Sequence, residues 1–245
     1  MATRSDTERP AFYALAPGGW RDAVTLLHPP YTLWHLSYVA LGTAVAPAVH
    51  VDRLLAALGA FFLAVGVSAH ALDELNGRPL GTRLSRRVLI GLAGGGLIGA
   101  VGIGLAGGAT VSLTLLPFVA AGSFLAVAYN LELFGGRFHS DGWFALAWGA
   151  FPAITGYWAN SLALHPAGVL IAAACWALSL GQRRLSTPVR ELRRRTLAVA
   201  GEQRLADGRT VELSAARLAG PLDGALRALS LAMPLLAGAL LALRL

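Results

Sequence analysis

Residues 54–82 read LLAALGAFFLAVGVSAHALDELNGRPLGT. The first nineteen positions, 54–72, carry no formal charge, and only Ser68 and His70 interrupt their apolar character. A helix needs roughly 20 mostly apolar residues to cross a bilayer core of about 30 Å, so this run reads as a membrane span. His70, Asp73 and Glu74 then fall within about one helical turn at its end. Imidazole and carboxylate groups are costly at such a position, so they require a partner, a solvated end or a chemical role.

The rest of the chain has the same texture. Its 245 residues are 56% hydrophobic and 13% charged, with a mean hydropathy of +0.60. A soluble domain carries about 25% charged residues. Apolar blocks lie near 31–49, 53–72, 88–107, 109–130, 142–160, 163–181 and 223–243. None alternates strictly, which argues against a membrane β-barrel. The expected fold is all-α, a polytopic transmembrane bundle of about seven spans. Its expected parts are an N-terminal surface segment (1–30), a six-span core (31–181), a basic loop (182–222) and a final span (223–245). The polar first thirty residues lack a short apolar core and a small-residue cleavage site, so they do not read as a signal peptide. The single cysteine, Cys175, reads as a small buried residue.

The formal net charge is +7, and all 20 basic residues are arginine. Arg4, Arg9 and Arg21 precede the first span. Arg78, Arg83, Arg86 and Arg87 follow the second, Arg137 follows the fourth, and a cluster follows the sixth. Arg53 is almost alone in the intervening loops. The positive-inside rule then puts the N-terminus and the even-numbered loops in the cytoplasm, making this a multi-pass cell-membrane protein. No aromatic residues interleave with the arginines, so nucleic acid is not an expected partner; membrane lipids are. In the long loop after span six, the arginine-rich segment is expected to form a surface helix on anionic lipid. Asp207-Gly208 between short alternating runs signals a hairpin. In the third span Gly91, Gly95 and Gly99 share a face at four-residue spacing, which predicts close helix approach there.

This topology gathers the reactive groups near one membrane face. His28 and His35 start span one; His70, Asp73 and Glu74 end span two; Asn130, Glu132, His139 and Asp141 follow span four. His50 and His165 fall on the other side and read as solvated. His70 lies three residues from Asp73 and four from Glu74, so all three share a helix face. Such spacing suits helical His/carboxylate metal sites, and it equally suits salt bridges with Arg78, Arg83 or Arg137.

The order of these signals resembles the UbiA superfamily of intramembrane aromatic prenyltransferases. AHALDELNGRPLGTRLSRR (69–87) has the shape of that family's aspartate motif and the arginine-proline loop after it. LLHPPYTLW (26–34) looks like its first-helix start, with His28 where an arginine is usual. YNLELFGGRFHSDGWFALAWGAFPAITGYW (129–158) looks like its fourth and fifth spans, through Tyr129, Arg137, Gly149, Pro152 and Gly156. The likeness covers roughly residues 20–190. The departures are in the acidic motifs. His70 stands in place of the first Asp and Gly77 in place of the last, while Asp73 is kept. Only Glu191 appears where a second acidic motif is expected, and the family has nine helices where this chain shows seven.

The resemblance implies a hydrophobic small-molecule or lipid substrate. On this reading Asp73, Glu74 and Tyr129 are the candidate catalytic residues, and Trp34, Tyr38, Arg78, Asn130 and Arg137 the candidate substrate contacts. Three readings follow. In the first, His28, His35, His70, Asp73, Glu74, Glu132 and His139 hold one or two metal ions near the cytoplasmic face. Mixed His/carboxylate donors suit Fe, Mn or Zn better than Mg²⁺, which prefers oxygen. In the second, the chain is a divergent Mg²⁺-dependent prenyltransferase using a prenyl diphosphate: Asp73, Glu74 and Asn76 hold one Mg²⁺, while Arg78, Arg137 and the Arg183–Arg195 cluster bind the diphosphate directly. In the third, it is a non-catalytic lipid-binding or transport protein that shares the fold.

Overall fold

The structure is a computed structural model and describes residues 9–245; Arg4 lies outside the described residues. Each of the seven apolar blocks forms a helix, and a short helix precedes them. The order is α1 (Trp20–Leu26), α2 (Pro29–Ala44), α3 (Val51–Leu75), α4 (Arg86–Thr110), α5 (Leu113–Asn130), α6 (141–161) and α7 (Pro166–Arg194). The strands β1 (Glu202–Arg204) and β2 (Thr210–Glu212) and the helix α8 (Ala215–Ala242) complete it. Four helices, α3, α4, α5 and α8, are long and apolar enough to cross a membrane.

Local chemistry sets the ends. Pro29 and Pro30 open α2, where a missing N–H costs nothing. Helix α2 ends at Ala44, earlier than its apolar block, because Pro47 disfavours helix at the residue before it. Ser85, Ser140 and Ser214 cap α4, α6 and α8, each hydroxyl accepting the backbone N–H three residues on. The Asp207-Gly208 signal is met by a hairpin: β1 and β2 pair antiparallel, with Gln203 opposite Val211, and Gly208 adopts φ +83°.

Small residues let the helices touch backbone to backbone. A Cβ on Gly42 in α2 would meet the Ala153 carbonyl oxygen of α6 at 1.9 Å, and one on Gly156 would meet the Val39 oxygen at 2.3 Å. A Cβ on Gly149 would lie 2.5 Å from the Cys175 oxygen of α7. The glycine stripe of α4 behaves differently from expectation. Nothing lies within 4 Å of a Cβ on Gly91 or Gly95, and one on Gly99 would meet only the Leu63 side chain. The close approach is made by Gly96, one position along, against the Leu63 carbonyl at 2.7 Å. A four-residue spacing fixes a face but not which face meets α3. Cys175 is buried in the core cluster with Trp34, Tyr38 and Ala153.

Two helices widen into π-helical turns, Phe62–Ala69 in α3 and Leu146–Ala150 in α6. Such turns change which carbonyls are free to accept other partners. The carbonyls of Gly66 and Trp148, one in each π segment, both accept from histidines at the site described next.

The arginine-rich segment is not a separate surface helix. It continues α7 without a break to Arg194, so the connection to α8 is only 195–214. The N-terminal segment lies across the same end of the bundle. The Arg193 Nη1 donates to the Arg9 carbonyl and the Arg194 Nε to that of Pro10, each at 3.1 Å. Phe12 packs edge-on against Tyr31 and beneath the Arg227 guanidinium. Asp22 in α1 accepts from the Gly18 and Arg83 backbone N–H groups, which ties the segment to the loop after α3.

Candidate functional site

At the end of the bundle where α3 and α5 finish and α2 begins, the helices enclose a cavity of about 420 Å³. Its walls bring together His28, His35, His70, Asp73, Tyr129, Asn130 and His139, seven of the residues singled out from sequence. Pro10 to Tyr13 close it on one side, and the last turns of α7 on another.

The histidines are held by backbone carbonyls. A carbonyl only accepts, so each contacting ring nitrogen is the protonated one. His35 donates Nδ1–H to the Trp148 oxygen at 2.8 Å, His70 to Gly66 at 3.1 Å, and His139 to Tyr129 at 3.0 Å. His28 stacks on His70 at 4.0 Å between ring centroids. It takes a left-handed backbone conformation, φ +46° and ψ 55°, as the residue that precedes α2. Its Nε2 is buried without a hydrogen-bond partner. Burial, then the nearby charge of His70, pushes the His28 imidazole well below its ordinary pKa. His139 stacks on Tyr129 at 4.5 Å, and the Tyr129 hydroxyl is also buried without a partner.

The α7 wall is cationic. Arg183, Thr187, Arg190 and Arg194 recur at spacings of four, three and four, which places them on one helix face, and all four line the cavity. Arg183 is paired with Asp141 at 2.8 Å and lies over the Phe144 ring. Arg190 donates to the Thr187 hydroxyl at 3.3 Å. The sequence carried this signal, since 183, 190 and 194 share a face if the helix continues. From sequence the Arg183–Arg195 cluster is assigned to a diphosphate, but in the loop after span six and not on a continuation of that helix. The contribution of Pro10–Tyr13 has no local sequence signature.

Other candidates sit elsewhere. Glu74 is fully buried outside the cavity, where its carboxylate accepts from Leu80 N at 3.0 Å, Thr82 N at 2.8 Å and Thr82 Oγ1 at 2.8 Å. Adjacent residues of a helix point about 100° apart, so Asp73 faces the cavity and Glu74 the loop 76–85. Arg78 clamps that loop by donating to the Thr82 and Leu84 carbonyls. Glu132 and Arg137 are exposed, because the turn 131–138 opens outward through Glu132, Phe134, Gly135 and Gly136, all at positive φ. Trp34 and Tyr38 lie deeper, with the Trp34 Nε1–H donating to the Tyr38 hydroxyl at 2.6 Å inside the core. At the opposite end His165 Nδ1 lies 2.8 Å from the Tyr157 hydroxyl, so it is hydrogen-bonded rather than simply solvated.

A second chamber, of about 140 Å³, lies among α3, α4, α5 and α6 and is almost wholly apolar. The two spaces share Val65 and Trp148 as wall residues, one from each π-helical turn.

Metal ions find few donors here. Mg²⁺ demands a near-octahedral oxygen set. Among the described residues the carboxylates lining the cavity are Asp73, Glu191 and Asp223. Asp223 is held by Arg193 in a buried ion pair, and Glu191 is exposed on α7. Among the described residues no three His, Cys, Asp or Glu side chains converge as one ligand group. This donor set does not fit a magnesium-bridged diphosphate. Comparison of the chain with protein-family models, with curated proteins and with solved structures returns no match.

Proposed function

We propose that the chain is a multi-pass membrane enzyme of UbiA type that acts on a lipid with an anionic head, of the prenyl diphosphate class. On this reading all seven long helices cross the bilayer, and the N-terminus and the cavity face the cytoplasm. The observation that carries it is the adjacency of the two spaces: an arginine-lined polar cavity and an apolar chamber share Val65 and Trp148 as wall residues. That adjacency suits a molecule with a charged head and a hydrocarbon tail. Planar guanidinium forks bind phosphoryl oxygens in pairs, so Arg183, Arg190 and Arg194 hold the head. A cavity of about 150 Å³ accommodates benzene, so the chamber takes about one five-carbon unit and a longer tail continues into lipid.

Transfer breaks the bond between the prenyl carbon and a diphosphate oxygen, which leaves with the electron pair as diphosphate, and forms a bond from that carbon to a nucleophilic atom of a hydrophobic acceptor, which gives up a proton to the departing diphosphate or to water. Fixed guanidinium groups stabilise the charge on the departing diphosphate without reorganising. The unpartnered Tyr129 hydroxyl and Asp73 flank the same space and orient the acceptor. The test is a fluorescence titration of detergent-purified protein with farnesyl diphosphate. Saturable binding is expected, weakened about tenfold or more by Arg190→Gln, as loss of a charge-assisted contact requires. Farnesol alone is expected to bind poorly. Equal binding by wild type and Arg190→Gln refutes the reading.

One observation favours a second reading, a transition-metal centre. His35 and His139 each donate Nδ1–H to a carbonyl, the arrangement that orients a ligating imidazole. Fe, Mn or Zn present at one ion per chain, and lost in His139→Ala, would favour it.

A further inference from the structure

We infer that the lipid diphosphate head is held by arginine and neutral hydrogen-bond donors directly, with no divalent cation bridging it. This rests on the reading above and goes beyond it, because the chemistry of the wall is at issue rather than the class of ligand. A metal ion that bridges a diphosphate is held by one or two carboxylates besides the phosphates and waters. Among the described residues, most acids near this cavity are engaged elsewhere. Glu74 faces away and is saturated by Leu80 N, Thr82 N and Thr82 Oγ1. Asp223 is paired with Arg193 and Asp141 with Arg183. Glu191 is exposed on α7. Among the described residues Asp73 remains as the acid on the inner wall without such a partner.

Arginines outnumber carboxylates on the wall, four (Arg183, Arg190, Arg194, Arg195) to three (Asp73, Glu191, Asp223). Arg190 and Arg194 make hydrogen bonds to a hydroxyl and a carbonyl, and neither has a carboxylate partner among the described residues. The buried wall atoms without partners are the Tyr129 hydroxyl, the His28 Nε2, the Gln182 Oε1 and the Asp223 Oδ1. Guanidinium groups without a carboxylate complement an anion with several oxygens better than they complement a bare cation.

The experiment titrates the whole detergent-purified chain with farnesyl diphosphate, once in excess EDTA and once in excess Mg²⁺. Inorganic pyrophosphate is run in parallel, and Asp73→Asn beside wild type. The inference expects Kd values within about threefold of each other in the two conditions, under the tenfold that 1.4 kcal/mol of lost metal contact brings. It also expects Asp73→Asn to bind as tightly or more tightly, because a like charge beside the anion is gone. Binding that appears only with Mg²⁺, and vanishes in Asp73→Asn, overturns the inference while leaving the proposed function in place. Equally tight binding of pyrophosphate and farnesyl diphosphate in EDTA supports a metal-free site but assigns it to the free anion, which overturns the lipid reading. No binding of either compound in either condition overturns both.

Discussion

Replacing Glu74 by alanine separates structure from chemistry on a single helical turn. The Glu74 carboxylate is fully buried and accepts three hydrogen bonds from the loop after α3, two of them from backbone N–H groups. Alanine removes the acceptor and leaves both N–H groups buried. An unsatisfied buried donor costs about 1–3 kcal/mol, so two of them cost about 4 kcal/mol. For a chain of 150–250 residues, 1 kcal/mol shifts Tm by roughly 2–4 °C, which predicts a fall of about 8–16 °C. Glu74→Gln keeps one oxygen for Thr82 but turns an amide NH₂ toward another N–H, and should fall about half as far. Asp73→Ala, the next residue, lines the cavity without a hydrogen bond of this kind and should leave Tm nearly unchanged. The assay is the temperature at which a fluorescent fusion loses its monodisperse peak in detergent. A Glu74→Ala protein as heat-stable as wild type, yet unable to bind ligand, would refute the reasoning and return Glu74 to the site.

Gly42→Ala should prevent correct assembly of α2 on α6, since the new Cβ would sit 1.9 Å from the Ala153 oxygen; Gly95→Ala, in open space, should express and migrate like wild type. Asp223→Ala removes the carboxylate that accepts from the Arg193 guanidinium in a buried ion pair and should lower heat stability, which Arg193→Met in the same chain should partly restore. His28 titrates well below its ordinary value because it is buried beside His70. The unfolded chain therefore takes up a proton near pH 6.5 that the folded chain refuses. Its contribution to stability is complete above that pH and is lost as pH falls beneath it, by at most about 1.36 kcal/mol per unit. Asn tolerates the left-handed conformation, so His28→Asn should fold and show a shallower loss of heat stability between pH 7 and 5.

Apolar blocks made the helices legible, because a run of some twenty apolar residues is a local property of the chain. The hairpin was legible for the same reason: Asp207-Gly208 sets a turn whatever lies around it. Much of the site was visible too, as His28, His35, His70, Asp73 and His139 stand beside span ends that the topology places together. What escaped depends on rotation and on distance in sequence. Asp73 and Glu74 look alike in a string of letters, and only the orientation of α3 sends one to the cavity and the other to Thr82. Gly91 and Gly96 differ by which side of α4 meets Leu63. The arginine cluster at 183–195 was legible as a diphosphate contact, but its display on one helix face needed the knowledge that α7 runs past the end of its apolar block. Contacts such as Arg194 to Pro10 link residues 184 positions apart, and no local pattern announces them.

The central claim is that one molecule spans the polar cavity and the apolar chamber. The most direct measurement uses a prenyl diphosphate analogue with a photoactivated group on its first five-carbon unit, cross-linked to the purified protein and mapped by mass spectrometry. Labels at Val65, Leu125, Trp148 or Phe151, absent when Arg190 is replaced by Gln, are the predicted result. Labels on outward-facing residues such as Ile98 and Leu231, unchanged in Arg190→Gln, would contradict it.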